Sequence, residues 1–106
     1  MSKLHDAFDV LVAGGGMSGV FAAIAAAESG RKVCLIEPAN MLGGQGTTGG
    51  VAGFCGDTHT VNRVFDELVD QLKQLDAISD FNPCHDRRAY DLELCGFVLQ
   101  EMVRKA

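Results

Sequence analysis

An apolar run, Val10 to Ala13, breaks directly into Gly14-Gly15-Gly16-Met17-Ser18-Gly19 and then into an alanine-rich stretch ending at Gly30. Few folds accept that order of residues. The run has the β-branched, uncharged character of a strand, the glycines force a sharp reversal, and the alanines carry a helix. A second apolar run, Lys32 to Ile36, closes the unit and ends at Glu37-Pro38. One helix between two strands implies parallel pairing with a right-handed crossover.

The glycine spacing is GxGxxG, the dinucleotide-binding fingerprint. Gly14 permits the turn out of the strand, Gly16 allows a pyrophosphate to approach the main chain, and Gly19 lets the helix sit close to the strand. The helix opening at Met17 then offers unpaired N–H groups and its positive dipole end to phosphates, an effect of about 0.3 to 2 kcal/mol per anionic group. Glu37 follows at close to the spacing of about 20 residues at which a carboxylate reaches ribose hydroxyls. Pro38 holds the residue before it extended, which fits the end of a strand. With 13 glycines in 106 residues, spaced triplets also arise by chance. A glycine-rich turn followed by an acid that merely ends a strand is therefore the simpler alternative, and the register of strand, helix and acid argues against it.

The chain is long enough for one small domain, which buries about 60 to 68% of its unfolded surface. Its net charge is −5, with no basic cluster longer than Arg87-Arg88, and this disfavours nucleic acid and anionic membrane surfaces as partners. Val10 to Ala27 is uncharged, but the glycines inside it and its change from strand to helix character suit neither a membrane span nor a signal peptide. A cytoplasmic location is expected. Cys34, Cys55, Cys84 and Cys95 form no CxxC pair and match no zinc spacing. Cys34 and Cys95 read as small core residues, and His59 and Cys84-His85 as surface loop residues, so no metal site is expected.

Along the chain, strand one spans Phe8 to Ala13 and reads as a central strand covered on both faces. Helix one spans Met17 to Ser29, with Val20, Phe21 and Ile24 as its large apolar stripe and Ala22, Ala23, Ala25, Ala26 and Ala27 allowing close approach to the sheet. A long glycine-rich loop without a clear period occupies Glu37 to Thr60. Helix two, Val61 to Leu75, carries Val61, Val64, Phe65, Leu68, Val69, Leu72 and Leu75 on one face. Asp76 to Ala89 reads as a connector, and helix three runs from an N-cap at Asp91 to about Lys105 with Cys95, Val98, Leu99, Met102 and Val103 inward. The fold class is α/β, a Rossmann-like dinucleotide-binding fold with parallel strands. Two strands fall short of the usual six, so residues 1–106 are expected to be the N-terminal part of such a domain, truncated or split.

A 2′-phosphate about 4 Å from Glu37 would be repelled by about 4 kcal/mol per unit charge at an effective dielectric near 20, which argues against NADP. NAD and FAD remain open on the fingerprint alone. The following segment, Glu37-Pro38-Ala39-Asn40-Met41-Leu42-Gly43-Gly44, has the form ExxxxxGG and leads into Gln45-Gly46-Thr47-Thr48-Gly49-Gly50. Over residues 8 to 50 the chain resembles the FAD-dependent oxidoreductases, the glutathione-reductase-like and fumarate-reductase-like flavoproteins. The resemblance implies FAD as cofactor. It places Gly14, Gly16, Ser18 and Gly19 at the pyrophosphate, Glu37 at the adenosine ribose, and Gly43, Gly44 and Thr47 or Thr48 on the ribityl and ring side. Gly15, Met17 and Gln45 are expected among the cofactor-binding residues as well. The CxxxxC redox pair of the disulfide reductases is missing after Gly44, where Cys55 stands alone, and dithiol chemistry is not expected.

The expected function is the FAD-binding segment of a flavin-dependent oxidoreductase in which the flavin performs hydride or electron transfer. A small-molecule substrate would be selected by a further domain, and little turnover is expected from residues 1–106 alone. Asp57 and His59 lie where a residue facing the substrate could sit, but nothing in the sequence assigns a catalytic group. The alternatives are an NAD-binding domain of a dehydrogenase, or a non-catalytic nucleotide-binding module acting with a partner chain or as a homo-oligomer.

Overall fold

The structure, a computed structural model, describes residues 7–56, 58, 61–82 and 87–106. Asp57, His59, Pro83, Cys84 and His85 lie outside the described residues. The elements are β1 (Val10–Ala13), α1 (Met17–Glu28), β2 (Val33–Ile36), β3 (Gly53–Cys55), α2 (Arg63–Gln74), β4 (Arg87–Ala89) and α3 (Leu92–Lys105). β1 and β2 pair in parallel, with Val10 opposite Val33 and Ala13 opposite Ile36. The Asp9 carboxylate accepts the Lys32 amide at 2.8 Å and sets this register at one end, and the Gly14 amide donates to the Ile36 carbonyl at 2.8 Å at the other.

The core lies where the three helices meet. Val20 and Ile24 of α1, Val64, Leu68 and Leu72 of α2, and Cys95, Val98, Leu99 and Met102 of α3 form one buried cluster. Two of these helices start on side-chain caps: Asn62 accepts from the Phe65 amide at 2.8 Å and Asp91 from the Leu94 amide at 2.9 Å. Each satisfies one N–H that the helix itself cannot. An Arg63–Glu28 ion pair also joins the start of α2 to the end of α1.

Several expectations need correction. β1 is covered on one face only, because the helices lie on the side of Val12 and leave Leu11 63% exposed and Ile36 52% exposed on the other. Ala22 and Ala25 are exposed as well, so only part of the alanine run faces the sheet. Val61 precedes the Asn62 cap, outside α2, and Leu75 follows its last turn, so both apolar side chains are about half exposed. The loop and the connector each contribute a short strand, β3 and β4, which pair antiparallel with Phe54 opposite Arg88. Three-residue strands carry too few positions for an alternating pattern to register in the sequence.

Leu68 is fully buried between the helices. Leu68→Ala is expected to cost about 2 to 5 kcal/mol in urea unfolding. Asn62→Ala, which deletes one cap, should cost about 1 kcal/mol.

Candidate functional site

The turn between β1 and α1 is built from backbone. Gly14 has φ 105°, a conformation a side chain disfavours, and swings the chain out of the strand. Gly16 then caps α1 with no side-chain hydrogen bond, and no acidic residue occupies the first helical turn. The first hydrogen bond of the helix runs from the Val20 amide to the Gly16 carbonyl at 2.9 Å. The amides of Met17, Ser18 and Gly19 precede it at the positive end of the helix with no side-chain cap, and that of Met17 is turned toward the Gly43 carbonyl.

The fingerprint glycines divide into two kinds. A Cβ built on Gly14 or Gly16 would meet nothing within 4 Å, whereas one on Gly19 would lie 1.8 Å from the Gly14 carbonyl oxygen. Gly14 and Gly16 thus border open space in front of the helix, and Gly19 closes the back of the turn. Gly15 also faces inward, where a Cβ would come within 2.8 Å of Leu42 and 2.9 Å of Glu37.

Glu37, just beyond β2, is half-buried beside that inward face. One carboxylate oxygen accepts from the Gly15 amide at 3.0 Å and the other from the Ala39 amide at 3.0 Å. The two bonds fix the carboxylate beside the middle of the turn, and each oxygen retains acceptor capacity for a further donor such as a hydroxyl. A carboxylate clamped by two amides is also a stronger acceptor than a neutral carbonyl.

The second glycine segment docks on the first, main chain to main chain. The Gly43 amide donates to the Gly15 carbonyl at 2.8 Å, Gly43 forms a parallel bridge with Gly16, and a Cβ on Gly44 would lie 3.1 Å from the Gly16 Cα. A short 3-10 turn, Gly44–Gly46, follows and folds the loop onto itself through bonds such as Val51 amide to Gln45 carbonyl at 2.9 Å. Gln45 and Thr48 are exposed at its surface. Thr47 is buried, and its hydroxyl donates to the Leu42 carbonyl, so it braces the loop from within.

The sequence-derived residues therefore assemble around one turn: Gly14, Gly15, Gly16, Met17, Ser18, Gly19, Glu37, Gly43 and Gly44 share it, and Gln45, Thr47 and Thr48 belong to the adjoining loop. Leu42 and Tyr90 join the same neighbourhood without being anticipated. Tyr90 lies far along the chain, yet its hydroxyl is 2.7 Å from the Gly46 carbonyl and 3.0 Å from that of Val51. Burial pushes the Tyr90 phenol up to about 12, so it stays protonated near neutrality. Nothing local in the sequence signals that long-range contact. Among the described residues no group of His, Cys, Asp or Glu is arranged to hold a metal ion. A concavity of about 760 Å³ lies between α2 and α3, and no residue of the turn lines it. The space in front of Gly14 and Gly16, at the positive end of α1, suits a phosphate that must come close to main-chain amides.

The model of the FAD dependent oxidoreductase family matches residues 9–106. No curated protein and no solved structure matches the chain. Among the described residues no helix is long and apolar enough to cross a membrane.

The two kinds of glycine are separable by substitution. Gly16→Ala, with φ near −66° and space for a methyl group, should unfold within about 1 kcal/mol of the parent. Gly19→Ala drives a methyl into a main-chain oxygen and should lose about 3 kcal/mol or more, both read by thermal and urea unfolding.

Proposed function

The chain belongs to the FAD-dependent oxidoreductase family, which implies FAD as cofactor, and from that premise we propose that its glycine turn holds the diphosphate of FAD. The amides of Ser18 and Gly19 take the phosphate oxygens, Gly14 and Gly16 give them room, and Glu37 accepts from the adenosine ribose hydroxyls. Gly43 and Gly44, with Gln45 and Thr48 at the loop surface, flank the ribityl and ring half, and Thr47 holds that loop in shape. One observation carries the proposal: Gly14 and Gly16 face open space at an uncapped helix start, while Gly15, Gly19 and Gly44 pack against protein atoms.

Bound FAD supplies the hydride or electron transfer, and the residues described here bind and orient it. Residues 1–106 act as the N-terminal part of a larger FAD-binding domain, with a small-molecule substrate recognised elsewhere. The bare face of β1 and β2 at Leu11 and Ile36 supports this, since parallel sheets are ordinarily covered on both faces.

Titration of the chain with FAD, NAD and NADP by calorimetry tests the assignment. FAD is expected to bind tightest and to leave a yellow protein after desalting. NADP should bind at least about tenfold more weakly than NAD because its 2′-phosphate meets Glu37. Gly16→Ala places a methyl group where the diphosphate lies and should weaken FAD about tenfold or more while the melting temperature shifts by no more than about 4 °C. Tight NAD binding with no flavin uptake would reverse the choice of cofactor.

A further inference from the structure

Tyr90 joins three parts of the molecule. It is 7% exposed, its ring packs on Phe54 with centroids 4.5 Å apart, and its amide donates to the Ala52 carbonyl at 3.1 Å. Immediately after it, Asp91 caps α3. The single phenolic proton serves two loop carbonyls, those of Gly46 and Val51. A Cβ on Gly46 would lie 2.8 Å from both the Tyr90 hydroxyl and Met17 Cε, so the start of the loop is held between Tyr90 and the first residue of α1.

Position along the turn decides which half of a dinucleotide this loop meets. Glu37 bonds to Gly15, whereas Gly44 sits against Gly16 at the helix start. A dinucleotide whose adenosine ribose lies at Glu37 and whose diphosphate lies at the helix start therefore extends its second half past Gly44, toward the Gly46–Val51 loop. We propose that Tyr90 is a positioning residue for the flavin half of FAD, fixing through its hydroxyl the loop on which that half rests. The proposal rests on the function given above. Burial keeps the phenol protonated up to about pH 12, so the hydroxyl remains a donor across the working range. Its loss leaves two buried or half-buried carbonyls competing for solvent, which loosens the loop and leaves the turn itself intact.

Calorimetric titration with FAD and with ADP separates the two halves of the site. Tyr90→Phe keeps the ring on Phe54 and is expected to weaken FAD about tenfold while changing ADP affinity by less than about twofold. Hydrogen exchange at the Val51 amide should accelerate several-fold in the same variant. Val98→Ala, in the core of α3 and away from the loop, lowers the melting temperature and should leave the ratio of FAD to ADP affinity unchanged. Unaltered FAD affinity or unaltered Val51 exchange in Tyr90→Phe overturns the proposal. So does an equal loss of ADP affinity, or a Val98→Ala chain that shows the same change of ratio. A parent chain that binds ADP and not FAD, or neither, overturns the cofactor assignment and this proposal with it.

Discussion

Main chain packed against main chain, at Gly15–Gly16 on one side and Gly43–Gly44 on the other, is the contact on which the rest of the structure depends. Its closeness comes from the lack of side chains on both partners, and its alignment from the bond between the Gly43 amide and the Gly15 carbonyl. The Glu37 carboxylate takes the Gly15 amide and the Ile36 carbonyl takes that of Gly14. The Gly14, Gly15 and Gly43 amides are thus taken, while the helix start at Gly16 carries no side-chain cap.

The helical core holds this contact in place. Leu99 of α3, itself fully buried, lies 3.0 Å from where a Cβ on Gly43 would stand, and Met41 packs over Gly96 of the same helix. Helix α3 therefore backs the second glycine segment from behind, as α1 backs the first. A cavity at Leu99 would move the two segments relative to each other, because a close-packed interior transmits strain. Fold stability and site geometry share the same few residues, Leu99 foremost.

What the sequence disclosed and what it concealed follow from range. β1, α1, β2 and the Glu37 position were legible because the fingerprint ties each to its neighbour over a few residues, and the Asp91 cap because a cap is a local hydrogen bond. The apolar stripe of α2 was legible too, except at Val61 and Leu75, where periodicity continues past the point at which the Asn62 cap and the last turn end the helix. Tyr90 was concealed because its partners, Gly46 and Val51, are some forty positions earlier. A threonine in a polar loop, such as Thr47 or Thr48, has two equivalent uses, toward a ligand or toward the loop itself, and the fold shows the Thr47 hydroxyl taken by the Leu42 carbonyl. The bare face of β1 was misjudged for a different reason. An apolar strand encodes what covers it but not which residues provide the cover.

The chemistry of the site is divided in a way that the electrostatics make plain. A diphosphate needs positive potential, which a helix start supplies through fixed dipoles that need no reorganisation and add no titrating group. A ribose needs an acceptor, and in the proposed site Glu37, held by two amides, would supply it. Burial displaces Tyr90 and Cys95 upward to about 12, so both stay protonated near neutrality, Tyr90 bonding the loop through its hydroxyl and Cys95 filling the core. A cofactor that carries its own redox chemistry asks for a surround whose groups hold their protonation state, and in the proposed site fixed amides and a buried phenol would meet that need.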